Sequence, residues 1–345
     1  MPKIPAKRIC LIRISALGDT VHALALANGL RKGYPDAHLT WILQPLPYEM
    51  VKYQPIIDKF IVLNQNTGIK SWIDLKNRLK EEKFDLVIIP QVSLRVNLIT
   101  AITNGTIKLG FDFKRSREAN FLFTNRKIKS RNPQHVQDQF FEFLDYLEIK
   151  YYPATWDFVF TEEEKNWQKS FFEKINHPVI SFVISSSDKR KNWNPHGYSH
   201  VMNHISKKFD IKPLIVGGPG EHESKISNQI ISQCECSPIV ALEKPIRKTL
   251  LQLAGSIMVV SPDTGPLHAA VALNIPTIGL YGASNPRLCG PYKKFGDLLI
   301  DKYTDPGEEN DPISRRLKPS RMEQITPDEV IEKIKYGLEK YKLFG

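Results

Sequence analysis

Apolar segments that alternate with turns and helices constrain the fold of this 345-residue chain more than any other feature. The first segment, Arg8 to Ser15, is mostly apolar and leads into a Gly18-Asp19-Thr20 turn, after which apolar residues recur at helical spacing up to Arg31. The segment Phe84 to Pro90 is apolar almost throughout, as in parallel strands that are buried on both faces. This order of strand, turn and helix predicts a doubly wound α/β domain.

The same alternation restarts in the second half of the chain. Pro178 precedes an apolar strand predicted over 179–184. Further strands are predicted at 213–217, 239–242, 256–260 and 277–281. Because single cores stop growing beyond about 250 to 300 residues, we predict an amino-terminal domain over 1–165, a second domain over 178–320 and a carboxyl-terminal helical segment over 321–345.

The net charge of +11, from 48 basic and 37 acidic side chains, is unevenly distributed. Residues 1–150 carry 23 basic and 14 acidic side chains, a net charge of +9, and the remaining residues carry +2. This asymmetry predicts that the amino-terminal domain has a strongly anionic partner.

Much of the excess lies between Lys114 and Arg131, where seven basic residues are accompanied by one acidic residue, Glu118. Few aromatic residues are interleaved with them, and no motif of a nucleic-acid-binding fold matches. An anionic lipid head group, a phosphorylated or carboxylated glycan, and plain solvation of a charged face all remain compatible with this block.

The cysteines and the amino terminus bear on the cellular compartment. Four cysteines are too few and too unevenly spaced for a disulfide framework or a zinc knuckle, which favours thiols in a reducing compartment. Arg13 and Asp19 interrupt the first apolar run, so it does not match a signal peptide. No window reaches the roughly 18 apolar residues of a membrane span. We therefore expect a cytoplasmic protein.

Asp263-Thr264-Gly265 follows a predicted strand and opens an apolar helix. Free backbone N–H groups and the helix dipole make such a turn suitable for phosphate, and Asp263 could accept hydrogen bonds from sugar hydroxyls. Simple capping of the helix by Asp263 or Thr264 explains the same residues equally well.

Two further loops follow strands in this domain. Ser185 to Trp193 contains three hydroxyls and three cations, which suit a diphosphate, although a solvated basic loop has the same composition. Gly217 to Glu221 is a glycine turn without the dinucleotide-binding pattern. Glu221 could pair with ribose hydroxyls, and acidic residues also favour a first helical turn for dipole reasons alone.

In the first domain, Asp19 stands just beyond the first strand. A carboxylate there could take a proton from an acceptor hydroxyl as a general base. An exposed turn aspartate would look the same in sequence.

Together these motifs resemble those of the ADP-heptose:lipopolysaccharide heptosyltransferases, glycosyltransferase family 9. Ile12 to His22 is similar to the amino-terminal motif of that family. The later motifs match in the same order, and the resemblance runs from about residue 8 to 340. These motifs are Lys191-Asn192-Trp193, Gly217 to Glu223, Asp263 to Ala270, Leu280 to Ser284 and Met322 to Pro327. One departure is Asn194, which separates Trp193 from Pro195 where the family commonly has Lys-x-Trp-Pro.

The resemblance implies a GT-B fold, in which two Rossmann-like doubly wound domains face each other across a cleft and the last helix returns to the first domain. It also implies that Asp19 is the catalytic base, that Glu221 binds ribose and that Asp263 meets the heptose hydroxyls. The implied phosphate contacts are Ser186, Ser187, Lys191, Thr264 and Gly265. His268 matches a motif histidine that either contacts phosphate or packs.

The implied reaction is metal-independent and needs no cofactor. It transfers heptose with inversion from ADP-heptose to the lipopolysaccharide inner core, a Kdo/heptose–lipid A acceptor, at the cytoplasmic face of the inner membrane. The acceptor-binding candidates are Lys114, Arg115 and Arg117, and no nucleic acid takes part. The rival hypotheses are a GT-B enzyme that uses or epimerises another nucleotide sugar, and a non-enzymatic binder of anionic glycolipid or nucleic acid that relies on the basic block alone.

Overall fold

The computed structural model describes residues 2–64 and 68–343, which form two compact units. The first unit contains the described residues up to Asn132 and again Val136–Val159. The second contains Pro133–His135 and the described residues from Phe160 onward. No helix in the described ranges has the length and apolar character needed to cross a bilayer.

The first unit is built on a six-stranded parallel sheet in the order β3-β2-β1-β4-β5-β6. Its strands are β1 (Arg8–Ile12), β2 (His38–Leu43), β3 (Lys59–Val62), β4 (Phe84–Ile88), β5 (Gly105–Gly110) and β6 (Arg126–Lys127). Its helices are α1 (Leu17–Gly33), α2 (Pro45–Val51), α3 (Ile69–Lys80), α4 (Leu94–Ile102) and α5 (Val136–Tyr146).

The second unit repeats this topology with a parallel sheet in the order β12-β11-β10-β7-β8-β9. Its strands are β7 (Val179–Val183), β8 (Lys212–Gly217), β9 (Ile239–Leu242), β10 (Met258–Pro262), β11 (Thr277–Tyr281) and β12 (Ile300–Asp301). Its helices are α6 (Glu162–Ile175), α7 (Pro195–Phe209), α8 (Glu221–Ile231), α9 (Ile246–Ala254), α10 (Gly265–Ala272), α11 (Pro286–Cys289) and α12 (Pro327–Lys340).

In both sheets the first strand lies in the middle, and the chain builds outward from it first to one side and then to the other. This is the Rossmann order, so the predicted doubly wound fold is confirmed. The central strands are buried on both faces: β7 has no exposed residue, and Ile9 to Ile12 of β1 are at most 1% exposed. Loops diverge where the order reverses, next to β1 and next to β7, and this is where α/β sheets place ligands.

The domain boundary lies earlier than the sequence predicts. Helix α6 belongs to the second unit, with Thr161 capping its first turn and Glu164 accepting a 2.6 Å hydrogen bond from Nη2 of Arg247. The segment between 165 and 178, left outside the two predicted domains, therefore contains part of a helix of the second unit.

The last helix also differs from expectation. The resemblance implies that it returns to the first domain, whereas α12 packs against α7 and places its apolar face in the core of the second unit. That face consists of Val330, Ile331, Ile334 and Leu338. The assignment of the described residues from 321 onward is therefore corrected to the second unit, because burial of these side chains fixes the helix there.

Candidate functional site

Three loops of the second unit meet at the carboxyl edge of its sheet because β10, β7 and β8 are neighbouring strands. The loop after β10 carries Asp263 and Thr264, and the loop after β7 runs from Ile184 to Asn194. The glycine turn after β8 begins α8. Topology thus brings together three motifs that are far apart in sequence.

At this edge the carboxylate of Asp263 receives three donors. Lys191 Nζ lies 2.6 Å from Oδ2, His268 Nε2 lies 3.4 Å from Oδ1, and the thiol of Cys289 donates to Oδ2 over 3.3 Å. The side chain of Asp263 is 7% exposed and that of Lys191 is 23% exposed. The ammonium group is therefore the accessible partner of this ion pair.

The charges in this cluster stabilise each other. Burial alone would raise the pKa of Asp263, but the hydrogen bonds and charges of His268 and Lys191 outweigh it and hold that pKa well below its usual range. Burial alone would lower the pKa of Lys191, yet Asp263 raises it above its ordinary value. The site therefore keeps an ionised carboxylate and a charged ammonium group at neutral pH.

The first turn of α10 supplies backbone N–H groups next to this cluster. Thr264 is the N-cap: its hydroxyl accepts from the N–H of Leu267 over 3.4 Å, and Gly265 begins the helix. Capping by Thr264, one of the two alternatives from sequence, is thus present. Pro266 has no N–H, and the N–H groups of Leu267 and His268 both donate to Thr264, so the N–H of Gly265 is the one in this turn that remains for an anion, together with the helix dipole.

The loop after β7 presents its hydroxyls unequally. Ser186 is buried, and its hydroxyl accepts from the N–H of Asp188 over 3.3 Å, while its own N–H donates to Asn192 Oδ1 over 2.7 Å. Ser187 is exposed. Ser186 and Asn192 thus hold the loop in shape, and Ser187 and Lys191 are its accessible groups.

Of the two acidic residues in the first turn of α8, only one contacts this loop. Glu221 is exposed, whereas Glu223 accepts from the hydroxyl of Ser185 over 3.2 Å and lies against the glycine turn. A Cβ on Gly220 would clash with Glu223 Oε2. Sequence reasoning missed Glu223; the signal was the Glu-x-Glu spacing.

Cys289 is a second residue that sequence reasoning missed. It ends the short helix α11, and its thiol also donates to the carbonyl of Asn285 over 3.3 Å. Burial, together with the charge of Asp263, raises the pKa of the thiol well above its ordinary value. Cys289 is therefore a protonated hydrogen-bond donor and not a thiolate.

The extra residue between Trp193 and Pro195 has a local function. Asn194 is the N-cap of α7 and accepts from the N–H of Gly197 over 2.7 Å. The indole N–H of Trp193 donates to the carbonyl of Ile325 over 3.0 Å. The departure from the family pattern thus adds a cap while Trp193 remains buried.

In the first unit, Asp19 lies in the first turn of α1, just past β1, and its carboxylate forms an ion pair with Arg13. The N–H of Ala16 also donates to Asp19 Oδ2 over 3.4 Å. The side chain of Asp19 is 33% exposed and that of Arg13 is 10% exposed. Here the carboxylate is the accessible partner.

Arg13 is fixed by its surroundings. Its guanidinium donates to the carbonyl of Pro90 over 2.9 Å, in the loop after the neighbouring strand β4, and lies 5.4 Å from the ring centroid of Phe140. Burial lowers the pKa of Arg13 below its ordinary value, and Asp19 offsets part of that shift. The arginine therefore orients Asp19 from a position that solvent hardly reaches.

The three acceptor-binding candidates differ in their surroundings. Arg115 is enclosed by Asp112 and Glu142, with Nη1 and Nη2 lying 3.0 and 2.5 Å from the two oxygens of Glu142, which is 2% exposed. Lys114 and Arg117 are exposed, and neither forms an ion pair with a described residue. Two buried carboxylates thus neutralise Arg115, and its role in acceptor binding stays a prediction.

Within residues 2–64 and 68–343 no group of three or more histidines, cysteines, aspartates or glutamates is arranged to hold a metal ion.

The fold and the Asp263 cluster define a two-domain α/β protein with a candidate site for an anionic ligand in its second domain. The model of glycosyltransferase family 9 (heptosyltransferase) matches residues 72–304, two thirds of the chain. The lipopolysaccharide core heptosyltransferase OpsX of Haemophilus influenzae is 30% identical over 300 residues, covering 87% of this chain and 85% of that protein. Lipopolysaccharide heptosyltransferase 1 of Escherichia coli K12 is 23% identical, covering 83% and 91%.

The chain belongs to glycosyltransferase family 9, and it is a glycosyltransferase. The family resemblance read from the sequence is thereby confirmed.

Solved structures agree with the fold. A family 9 glycosyltransferase from Veillonella parvula superposes with a TM-score of 0.82 at 22% identity, covering 97% of both chains. The E. coli heptosyltransferase WaaC with ADP superposes with a TM-score of 0.74 at 20% identity, covering 96% of this chain and 99% of that one. The predicted fold class, GT-B with two Rossmann-like domains, is confirmed.

Proposed function

We propose that this protein is an inverting heptosyltransferase that moves heptose from ADP-heptose to the lipopolysaccharide inner core, a Kdo/heptose–lipid A acceptor. The observation that carries the proposal is the Lys191–Asp263–His268 cluster at the first turn of α10, in a chain of family 9. A carboxylate for sugar hydroxyls and a cation for phosphate, less than 3 Å apart, suit a nucleotide sugar.

In this proposal the second unit binds the nucleotide sugar. Lys191, Ser187 and the N–H groups at Thr264 and Gly265 contact the diphosphate, and Ser186 shapes the loop beside it. Asp263 accepts from heptose hydroxyls, and His268 holds Asp263. Glu221, exposed at the start of α8, keeps its proposed role at the ribose, with Glu223 as the acid that already contacts the phosphate loop.

Asp19 acts as the base. The acceptor hydroxyl oxygen bonds to the anomeric carbon of heptose on the face opposite ADP, the bond from that carbon to the β-phosphate oxygen breaks, and the hydroxyl proton passes to Asp19. Configuration at that carbon is inverted. Lys191 and the N-terminus of α10 stabilise the charge that develops on ADP, which is an electrostatic contribution that needs no rearrangement of the site.

Lys114 and Arg117 are the proposed acceptor-side cations, because both are exposed and outside any ion pair of the described residues. We infer that the protein works in the cytoplasm, peripherally at the inner membrane, where a lipid-linked acceptor is accessible. Beyond the ADP-heptose substrate the proposal includes no cofactor, no metal and no nucleic acid.

The test is a panel of ADP- and UDP-sugars offered to the purified protein with Kdo–lipid A and heptosylated acceptors, with products identified by mass spectrometry. We expect ADP release and the mass gain of one heptose with ADP-heptose only. Comparable turnover of UDP-sugars, or release of an epimerised sugar without acceptor, would contradict the proposal.

A further inference from the structure

Four large apolar side chains of the first unit are exposed at one edge of its sheet, two on the loop after β5 and two on helix α4. On the loop after β5, Phe113 is 68% exposed and Leu122 is 70% exposed. On α4, which follows β4, Leu94 is 59% exposed and Leu98 is 42% exposed. Leu94 and Leu98 lie one helical turn apart and therefore share a face.

Hydrogen bonds join this loop and α4 into one surface. Asn97 donates to the carbonyl of Glu118 over 2.6 Å and accepts from Asn120 over 2.7 Å, and the Glu118 carboxylate binds the N–H of Leu94. The rings of Phe113 and Phe121 lie 5.0 Å apart, which ties the two ends of the loop together. We use the name docking patch for the exposed side chains of two sets of residues. The apolar set is Leu94, Leu98, Phe113 and Leu122, and the cationic set is Lys114, Arg117, Arg126 and Lys129.

The cations of the docking patch are not neutralised by the protein. Lys114 and Arg117 follow Phe113 on the loop, and Arg126 and Lys129 lie beyond it; all four are exposed, and none forms an ion pair with a described residue. By contrast, the carboxylates around Arg115 neutralise that arginine. The patch thus combines exposed apolar side chains with four cations, and the loop carries one exposed carboxylate, Glu118, beside them.

The docking patch lies on the same edge of the sheet as Asp19. Strands β1, β4 and β5 are neighbours, and Asp19, Leu94 and Phe113 each follow the carboxyl end of one of them. At the ~4.8 Å spacing of adjacent strands, the loops of β1 and β5 leave the sheet about 10 Å apart.

We propose that the docking patch binds the surface of an anionic lipid bilayer. Phe113 and Leu122 enter the interface while Lys114 and Arg117 meet lipid phosphates, the combination of apolar and basic groups that interfacial segments use. The inference rests on the proposed function, since a bilayer against this edge presents a lipid-linked acceptor to Asp19. A nucleic acid would use the cations but would have no need of exposed leucines on both the loop and α4.

The test is co-sedimentation of the full-length protein with phosphatidylcholine vesicles, with or without phosphatidylglycerol, in the absence of substrates. Wild-type protein is expected to bind only the anionic vesicles, and more weakly as salt rises. Lys114→Gln/Arg117→Gln is expected to bind about 25-fold more weakly, at about fivefold per cation. Phe113→Ser/Leu122→Ser is expected to lose at least about tenfold, and Leu94→Ser/Leu98→Ser serves as a second apolar variant should the first be unstable.

Matched controls lie in the second unit. Lys207→Gln/Lys208→Gln removes two exposed cations of α7, and Ile231→Ser/Val240→Ser removes two exposed apolar side chains; neither is expected to weaken vesicle binding. Failure of wild-type protein to prefer anionic vesicles, or equal losses in control and patch variants, would overturn the docking patch. So would tight binding to RNA that depends on Lys114 and Arg117 but is unchanged in Phe113→Ser/Leu122→Ser.

Transfer to acceptor dispersed in detergent separates this inference from the proposed function. Phe113→Ser/Leu122→Ser is expected to retain transfer there, because neither side chain belongs to the site. If wild-type protein transfers heptose in detergent but does not bind vesicles, the proposed membrane binding by the docking patch is overturned and the proposed function is not. Protein that binds vesicles as expected but transfers no heptose would overturn the proposed function alone.

Discussion

The two units have the same strand order, and each keeps a carboxylate–cation pair beside its central strands, yet the two pairs are buried in opposite senses. In the first unit Arg13 is the buried partner and Asp19 is 33% exposed. In the second unit Asp263 is the buried partner, at 7% exposed, and Lys191 is 23% exposed. The first unit thus leaves the carboxylate of its ion pair accessible, and the second unit leaves the ammonium group of its ion pair accessible.

Burial decides the chemistry of each pair. An accessible carboxylate can take a proton, whereas an accessible ammonium group can bind phosphate. The construction differs accordingly: Arg13 and Asp19 are six residues apart around one strand and helix, while Lys191 and Asp263 are 72 residues apart and meet only because β7 and β10 are neighbours. If burial sets these roles, substitutions at the two carboxylates should have different effects.

Asp19→Asn is expected to produce the largest effect. It removes the proposed proton acceptor while preserving shape, so kcat should fall about 1000-fold, in the range typical of a lost general base. Binding of ADP-heptose, measured by calorimetry, should be unchanged because the second unit provides it.

The matched control is Asp36→Asn, which changes an exposed aspartate of the same unit. It is expected to leave kcat unaltered. A kcat for Asp19→Asn within a factor of three of wild type would remove the base from the proposed mechanism and with it the contrast between the units.

Asp263→Asn is expected to cost stability because Asp263, unlike Asp19, is a buried charge with partners. Its pKa lies below the ordinary value of 3.8, so the stabilisation is present above that pH and is lost as pH falls from about 4 through the folded-state pKa. We expect the unfolding free energy to drop by about 2 to 3 kcal/mol, less than for a fully enclosed pair, since Lys191 can turn to solvent. Urea titrations should give a constant difference from wild type between pH 5 and 8 that shrinks below about pH 4. A difference independent of pH would show that Asp263 does not stabilise as an ionised group.

Lys191→Ala is expected to weaken ADP-heptose binding about 30-fold, the effect of about 2 kcal/mol from charge-assisted hydrogen bonds. An ammonium group has three donors, so Lys191 can hold Asp263 and a phosphate together. Calorimetry with ADP and ADP-heptose measures the loss. The neighbouring Lys189→Ala, which removes an exposed cation, is the control and should change affinity little. Equal affinity in Lys191→Ala and wild type would mean that the accessible cation of the second unit does not serve the phosphates.

The strands and helices that position the Arg13–Asp19 and Lys191–Asp263 ion pairs are predictable from local sequence. The ion pairs themselves are only partly predictable. Apolar runs predicted β1 and β7, because those choices depend on neighbours in sequence. The region of α4, β5 and α5 gave no prediction, since short apolar runs such as those of α4 look alike in helices and buried strands.

Contacts that depend on tertiary structure could not be predicted from the sequence. The preference for Glu223 over Glu221 depends on helical phase, since residues two apart point about 200° away from each other. Neutralisation of Arg115 depends on Glu142, which a separate helix, α5, supplies. The pattern that located the motifs therefore could not rank the side chains within them.

Arg13→Met tests whether the buried cation positions its carboxylate partner. Without the guanidinium Asp19 loses the ion pair that orients it, so kcat should fall about tenfold. Arg13→Lys, which keeps the charge, should recover part of that loss. If Arg13 acts through Asp19, adding Arg13→Met to Asp19→Asn should slow turnover little further, as a double-mutant cycle of kcat measures. Additive losses in that cycle would assign Arg13 a purely structural role.

Cys289→Ala is expected to have the smallest effect. It removes the weakest of the three donors to Asp263, because a thiol is a poor hydrogen-bond donor and Lys191 and His268 remain. ADP-heptose affinity should fall no more than about threefold, with kcat unchanged, as measured by calorimetry and turnover. Cys234→Ala, three residues beyond the end of α8, is the control for loss of a thiol away from Asp263. A loss beyond tenfold in Cys289→Ala alone would mean that Asp263 depends on the thiol as much as on the ammonium group of Lys191. Neutral donors would then orient the carboxylate of the second unit, and the parallel with the Arg13–Asp19 ion pair of the first unit would fail.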